Sequence, residues 1–331
     1  MSTKNKLMAI DAANALIEAG HVLTIAGHEE LLQQLQKGNW IGGTTTYFMD
    51  KEGGGVNHEK IFVTDLTDIV TSFKIKAYEE ATITTDLLED RYENGFSYLI
   101  LPAFASIHQT YGLQAGEQST LFDRPLMGWI AGVHLDEIGK ITPKVIDGST
   151  GMFFENRGCT LHGALPATQY AEIDIVNIYQ QGQGDTFTFQ EDGFGCTSCL
   201  INGKPANLAD YYKENNINAD LPLVANYAGA SINVSIQQIN EEEHHVAFFA
   251  PVLKGRAYKV AQPIEDLYTV FCKELPEDSS AVIFSCNCIL NYVHIEMEKK
   301  FAGDFRGPFT FGEIAYILVN QTMVTLSIKE Y

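Results

Sequence analysis

The feature of this sequence that most restricts its fold is the irregular order of its strand and helix patterns. Helical spacing over residues 11–19 is followed by an apolar strand pattern over 21–26, a second helical segment over 29–35 and then several strands. Beyond residue 159 alternating strand patterns dominate, and the Asn-Gly pair at 202–203 predicts a tight hairpin. Because strands and helices mix without strict βαβ alternation, the pattern favours an α+β fold over a doubly wound parallel sheet.

The chain is long enough for two domains, but no linker separates them. Its 331 residues correspond to about two domains at roughly 150 residues each. No run of Ser, Pro or Gly is long enough to serve as a flexible connection. We therefore expect two closely packed lobes, residues 1–158 and 159–331, built from mixed, largely antiparallel sheets flanked by helices.

The charge of the chain excludes two classes of partner. There are 22 Lys and Arg residues against 42 Asp and Glu residues, which leaves a formal net charge of -20. Such a chain repels nucleic acid phosphates and the anionic surface of a membrane. It also lacks any uninterrupted apolar stretch of about 18 residues. We expect no nucleic acid partner and no membrane insertion.

The amino-terminal segment and the cysteines favour a cytoplasmic protein. Asp11 interrupts the short apolar stretch over residues 7–10 too early for the core of a signal peptide. The 6 cysteines are too few for a disulfide framework in a chain of this length, and they fit reduced thiols.

Two cysteines lie at a point where a predicted strand meets a predicted helix. Cys286 and Cys288 occupy this turn. A thiol at a helix N-terminus has a lowered pKa, and the backbone amides there bind anions. The turn therefore predicts reactive thiols or ligand contacts, with two small buried packing residues as the alternative.

The sequence predicts no metal site and no cofactor. Cys196 and Cys199 have CxxC spacing and could join Cys286 and Cys288 as four zinc ligands, but in a strand their side chains would point to opposite faces. The sequence also contains no Walker loop, G-x-G-x-x-G, H-E-x-x-H or G-x-S-x-G motif.

Two further side chains are candidates for ligand contacts. Glu313 lies in an otherwise apolar run, where a carboxylate is either paired or presented to a cleft. Trp40 begins a strand rich in Gly and Thr, and it either stacks on a ligand or anchors the core. The residues alone leave both alternatives open.

Several segments of the chain resemble the FIST family, named from F-box and intracellular signal transduction. Residues 284–287 end a strand with Cys-Asn, residues 307–314 form a glycine-aromatic-Gly-Glu-Ile segment, and residues 320–322 read Asn-Gln-Thr before the last strand. This order is similar to the FIST C region. Residues 41–47 are similar to the small-residue strand of the FIST N region.

The resemblance implies a FIST N region over residues 1–158 and a FIST C region over 159–331. It also implies a sensory module of intracellular signal transduction that binds small ligands, amino acids among them, and that is often joined to an output domain. Since this chain has no room for an output domain, we expect a stand-alone sensor that acts through a partner protein.

Our leading hypothesis is a small-ligand-binding protein with its site in a cleft between the lobes. Amides at the cysteine turn would hold a carboxylate and Glu313 would hold an amine, so an amino acid or similar zwitterion fits. The predicted ligand contacts are Trp40, Gly42, Gly43, Thr44, Thr45, Cys286, Asn287, Cys288, Gly312, Glu313 and Asn320.

The alternative hypothesis is a cysteine-dependent enzyme. Cys286 would be the nucleophile, and His108, His134 or His162 would be its base, because such partners meet in space and not in sequence. The leading hypothesis includes no catalytic residue.

Overall fold

The computed structural model of the protein describes residues 5–227 and 230–331. The first four residues of the segment that we interpreted as non-secretory lie outside the described residues. No helix in the described ranges is long and apolar enough to cross a membrane. The helices are α1 (Ile10–Glu18), α2 (Glu29–Leu32), α3 (Asp86–Glu89), α4 (Ser106–Gln114), α5 (Leu208–Glu214), α6 (Leu267–Glu274) and α7 (Ile289–His294).

Strands make up most of the regular structure. In the first half of the chain they are β1 (Asn5–Met8), β2 (Leu23–Gly27), β3 (Trp40–Thr44), β4 (Tyr47–Asp50), β5 (Gly53–Val56), β6 (Ile61–Asp65), β7 (Ser72–Tyr78), β8 (Gly95–Pro102), β9 (Leu126–Ala131), β10 (Val145–Asp147), β11 (Met152–Phe154), β12 (Gly158–Ala164) and β13 (Gln169–Val176).

The second half continues with shorter strands around α5, α6 and α7. They are β14 (Phe187–Thr188), β15 (Gly193–Cys196), β16 (Ser198–Ile201), β17 (Lys204–Asn207), β18 (Leu223–Tyr227), β19 (Ala230–Val234), β20 (Ile236–Asn240), β21 (His245–Val252), β22 (Ala257–Val260), β23 (Val282–Cys288), β24 (Gly307–Thr310), β25 (Glu313–Ala315), β26 (Ile317–Val319) and β27 (Met323–Glu330).

The strands form several mixed sheets. The first sheet has the order β1-β6-β2-β3-β10-β11, the second β26-β25-β9-β8-β12-β7 and the third β13-β27-β23-β24-β4-β5. The fourth sheet, β17-β16-β14-β22-β18-β19, and the three-stranded sheet β15-β21-β20 lie in the second half of the chain. Pairing is antiparallel except at β2–β3, β8–β9 and β23–β24 among the described strands. The predicted α+β fold with mixed, largely antiparallel sheets is confirmed.

Two sheets combine strands from both sides of the boundary that we placed at residue 158. In the second sheet β25 pairs with β9, and in the third sheet β24 pairs with β4. Strands near the carboxyl terminus therefore complete sheets begun in the first half. Hydrogen-bonded backbone, and not side-chain packing alone, joins residues 1–158 to 159–331.

Alternating side chains of β2 explain how the first sheet is covered on both faces. Leu23 and Ile25 share a buried cluster with Ile17 of α1, whereas Ala26 belongs to the cluster that contains Trp129 of β9. At Gly43 a Cβ atom would lie 2.7 Å from the Trp129 ring. The first and second sheets approach so closely there that only glycine fits.

The glycine-rich segment over residues 53–55 is strand β5. It pairs with β4, and the backbone of residues 297–299 lies against its other side. A Cβ atom on Gly54 would lie 2.4 Å from the carbonyl oxygen of Met297. The glycines therefore permit a close backbone approach that the sequence pattern does not reveal.

The predicted hairpin is confirmed, and the two helices below are shorter than or bounded differently from their predictions. The hairpin at Asn202-Gly203 is present between β16 and β17, and both residues have positive φ, 51° and 80°. The helix predicted over 29–35 ends at Leu32, and the helix predicted after the cysteine turn is α7, which spans Ile289–His294.

Candidate functional site

A cavity of about 280 Å³ lies at the carboxyl ends of three strands. His28 and Glu29 follow β2, Thr45 follows β3 and Gly132 follows β9, and all four line the cavity. The parallel β2–β3 pair brings its two carboxyl ends together, and the Gly132 amide donates a 2.8 Å hydrogen bond to the Thr44 carbonyl. Ligands of sheets with parallel strands bind at such strand ends.

Three consecutive threonines form the buried wall of this cavity. The Thr44 hydroxyl accepts a hydrogen bond from the Lys144 amide at 3.0 Å, and the Thr45 hydroxyl donates to the Phe309 carbonyl at 2.8 Å. Thr46 is 1% exposed, and its hydroxyl has no hydrogen-bond partner among the described residues. A buried hydroxyl without a partner costs free energy of folding unless a ligand or water satisfies it.

Carboxylates dominate the charge around the cavity. Glu29, Glu30 and Glu137 line it. Nζ of Lys144 lies 2.7 Å from Oε1 of Glu29 and so neutralises one of them. Glu137 accepts a hydrogen bond from the His134 amide, and Glu30 is exposed. The local field therefore attracts a positive group.

A row of aromatic rings continues from the cavity. The ring centroids of His28 and His58 are 5.4 Å apart, those of His58 and His134 are 5.8 Å apart, and His134 stacks on Tyr47 at 5.4 Å. Burial lowers the pKa of His58, and the neighbouring imidazoles of His28 and His134 lower it further. His58 is therefore neutral at pH 7 and offers one nitrogen donor and one acceptor.

The described residues contain no group of three or more His, Cys, Asp or Glu side chains that could hold a metal ion. The histidine row therefore forms no such group. Neither do the four cysteines that we considered as zinc ligands, Cys196, Cys199, Cys286 and Cys288.

Glu313 lies in the core and is paired, which is one of the two alternatives that its sequence context left open. It is 0% exposed, and the hydroxyls of Thr310 and Thr322 lie 3.1 and 2.8 Å from its two carboxylate oxygens. Burial raises the pKa of Glu313 well above its ordinary value, although these hydroxyls lower it. Burial therefore favours the protonated, neutral form of this side chain.

Cys286 and Cys288 are also buried, at 1% exposure each. Burial raises the pKa of both thiols, and the nearby Glu313 raises it further. The lowered pKa that we expected from the helix N-terminus is wrong because burial outweighs the backbone amides of Leu290 and Asn291, which do lower the pKa of Cys288. The structure brings Cys288 and Glu313 together, since their side chains are hydrogen-bonded to each other.

The other predicted contact residues have partners within the fold. Trp40 is 1% exposed, and its indole nitrogen donates to the Gln36 carbonyl at 2.9 Å. Asn320 accepts hydrogen bonds from Ser235. The remaining residues, Gly42, Gly43, Asn287 and Gly312, are buried as well. Of all the predicted contacts, Thr44 and Thr45 line the 280 Å³ cavity, and a role in ligand binding for the rest stays a prediction.

Sequence reasoning did not identify His28, Glu30 or Glu137 as site residues. The available signal was positional. Each lies at or just beyond the end of a strand or in the first turn that follows, and strand ends are where sites form in mixed sheets. His134 entered only as a base for Cys286, and its ring is instead stacked on Tyr47.

Comparison with known proteins corrects the family that we inferred from the motifs. No curated protein matches the chain. The matching family is not FIST, so the FIST identification is wrong. Two of the motifs that suggested it, around Glu313 and Asn320, are buried hydrogen-bonded segments of the core. The model that matches, over residues 8–329, is that of a family of unknown function, DUF6976, and the chain belongs to this family.

Proposed function

We propose that the protein binds a small ligand bearing a protonated amine, such as an amino acid, in the cavity at the ends of β2, β3 and β9. The observation that carries the proposal is the buried Thr46 hydroxyl, which has no partner among the described residues and lies in the wall of the cavity. A ligand atom would satisfy it. The volume of about 280 Å³ is at the lower end for small-molecule sites, which fits a ligand of amino acid size.

The distribution of charge supports an amine. Glu30 and Glu137 line the cavity without a lysine or arginine partner in the described residues, whereas Glu29 is paired with Lys144. The net charge of -20 acts in the same direction. The two carboxylates would receive the ammonium group, and Thr46 and His28 would donate hydrogen bonds to a carboxylate of the same ligand.

The cysteine-dependent alternative has less support. A catalytic thiol has to ionise, and both buried thiols at this turn have raised pKa values. The three histidines considered as bases are engaged elsewhere. His162 lies between Ser97 and Tyr78, His108 packs on Phe194, and His134 stacks on Tyr47.

Two finer aspects stay predictions. A partner protein that responds to the bound ligand has no structural observation behind it, because it followed from the FIST resemblance. A cytoplasmic location is supported by the sequence composition alone.

Thermal unfolding with a panel of amino acids and simple amines tests the proposal. We expect one or more of these compounds, and not the matched alcohols, to raise the melting temperature. Glu137→Gln should weaken binding of that ligand about 10-fold, because it removes a half-buried charge that lines the cavity. The control Glu52→Gln changes an exposed carboxylate outside the cavity lining and should leave binding unchanged. A panel without any response would contradict the proposal.

A further inference from the structure

A second cavity of about 470 Å³ lies between α3 and the segment that precedes β9. Arg91, Arg124, Thr84 and Thr120 are among its lining residues. It is separate from the cavity at Thr44–Thr46 and shares no lining residue with it. Its lining includes two guanidinium groups, in contrast to the carboxylates of the first cavity.

Arg91 is a buried cation that forms no salt bridge with any described residue. It is 6% exposed, and its guanidinium donates to the backbone carbonyls of Leu88, Thr120, Leu121 and Arg124. A guanidinium has one more N–H group than these carbonyls accept. Buried charges are normally paired with an opposite charge.

Arg124 adds a second positive charge to the same wall. It donates a 2.9 Å hydrogen bond to the Arg91 carbonyl, and within the described ranges it too forms no salt bridge. Burial lowers the pKa of Arg91 and the like charge of Arg124 lowers it further, while the charge of Asp123 raises it. An anion between the two side chains would relieve this repulsion.

Two threonines provide uncharged donors beside the arginines. Thr84 is 7% exposed, and its hydroxyl has no hydrogen-bond partner in the described part of the chain. Thr120 uses its carbonyl to hold Arg91, and its hydroxyl is likewise unpaired within the described residues. Buried guanidinium and free hydroxyl donors are the groups that recognise oxyanions.

We propose that this second cavity binds a small oxyanion, the phosphate or carboxylate group of a metabolite, between Arg91, Arg124 and Thr84. Glu89 and Asp123 also line the cavity, but both are exposed, so solvent and salt screen their charges. The buried Arg91 is screened much less. The site would therefore bind an anion despite the net charge of -20.

Isothermal titration calorimetry with inorganic phosphate tests this site, with sodium acetate as a second titrant and sodium chloride at equal ionic strength as the blank. We expect saturable heat from phosphate, from acetate, or from both. Phosphate alone would assign a phosphate-bearing ligand, and acetate alone would assign a carboxylate. Saturable heat from neither titrant would overturn the proposal.

The variants separate loss of the site from loss of the fold. Thr84→Val keeps the side-chain shape, removes only an unpaired hydroxyl, and should weaken binding about 5- to 10-fold. Arg124→Gln should weaken it by about 10-fold or more. The control Thr82→Val lies on the same segment outside the cavity lining and should change affinity less than about 2-fold. Binding that is unchanged in both Thr84→Val and Arg124→Gln would also overturn the proposal.

Discussion

The Thr322 hydroxyl donates a 2.8 Å hydrogen bond to Oε2 of Glu313, a carboxylic acid with no exposed surface. On the other side, the Thr310 hydroxyl lies 3.0 Å from the Gly312 carbonyl and 3.1 Å from Oε1 of Glu313. One hydroxyl proton cannot serve both acceptors at full strength. A protonated Glu313 resolves this conflict, because it donates to Thr310 while Thr310 donates to Gly312.

Glu313→Gln should therefore preserve the fold and change its pH dependence. A carboxyl group whose folded pKa is raised stabilises the fold fully below its unfolded pKa of about 4.3, and that contribution is lost as pH rises toward the folded value. Glutamine keeps both hydrogen bonds without this loss. In urea unfolding, the free energy of unfolding of Glu313→Gln should rise relative to that of the wild type by at least about 1 kcal/mol between pH 5 and 8. Parallel curves would show that Glu313 is ionised.

His162 should make the protein sensitive to acid. Its ring is 0% exposed and lies between the Ser97 and Tyr78 hydroxyls, and burial lowers its pKa to about 4. Below about pH 6.5 the unfolded chain binds a proton at this histidine and the folded chain does not. The free energy of unfolding therefore falls by up to about 3 kcal/mol between pH 6.5 and 4. His162→Gln should lose less stability over this range. The control His245→Gln, at a partly exposed position whose side chain has no hydrogen bond or ion pair among the described residues, should follow the wild type.

Gly128→Ala should strongly destabilise the second sheet. A Cβ atom at this position would lie 1.7 Å from the Leu99 carbonyl oxygen on the neighbouring parallel strand. Because backbone cannot move aside cheaply, we expect a loss of about 3 kcal/mol or more in chemical denaturation. Gly55→Ala is the matched strand control, since no described residue other than its two chain neighbours lies within 4 Å of the added Cβ. Equal stability of the two variants would refute the packing described for β8 and β9.

The thiols should differ in their reaction with a disulfide reagent. Cys286 and Cys288 are 1% exposed with raised pKa values, whereas Cys272 is partly exposed. In native protein we expect Cys272 to react first and the buried pair only on unfolding. Peptide mapping after timed labelling identifies the modified residue. Rapid labelling of Cys286 near neutral pH would instead favour the cysteine-dependent enzyme.

Local sequence patterns were sufficient for the fold class but not for the arrangement of the sheets. Alternating β-branched residues and the hairpin at Asn202-Gly203 act over a few residues, so they predict strands and turns directly. The pairing of Gly307 with Met49 joins residues far apart in the chain. No local pattern encodes such a partner, and for this reason the sharing of sheets across residue 158 could not be predicted.

The same distinction applies to the candidate site. Thr44 and Thr45 could be predicted because small polar residues end a strand there. His28 and Glu137 could not, because they reach the cavity from the ends of other strands only after β2 and β3 pair in parallel and Gly132 bonds to Thr44. For Glu313 the sequence context correctly restricted the outcome to pairing or a cleft, and burial among threonines decided for pairing.

The central claim is that a ligand binds at Thr46, and calorimetric titration tests it most directly. The wild type, Thr46→Val and Thr160→Val are each titrated with the amino acid or amine that most stabilises the wild type. Thr160 is the matched control because its hydroxyl is also buried and unpaired within the described residues, but lies outside the cavity lining. Both variants should unfold at or slightly above the wild-type denaturant midpoint, since each removes an unsatisfied buried hydroxyl. We predict that Thr46→Val binds about 10-fold more weakly and that Thr160→Val binds like the wild type. Equal affinity of all three proteins would contradict the assignment of this cavity as the ligand site.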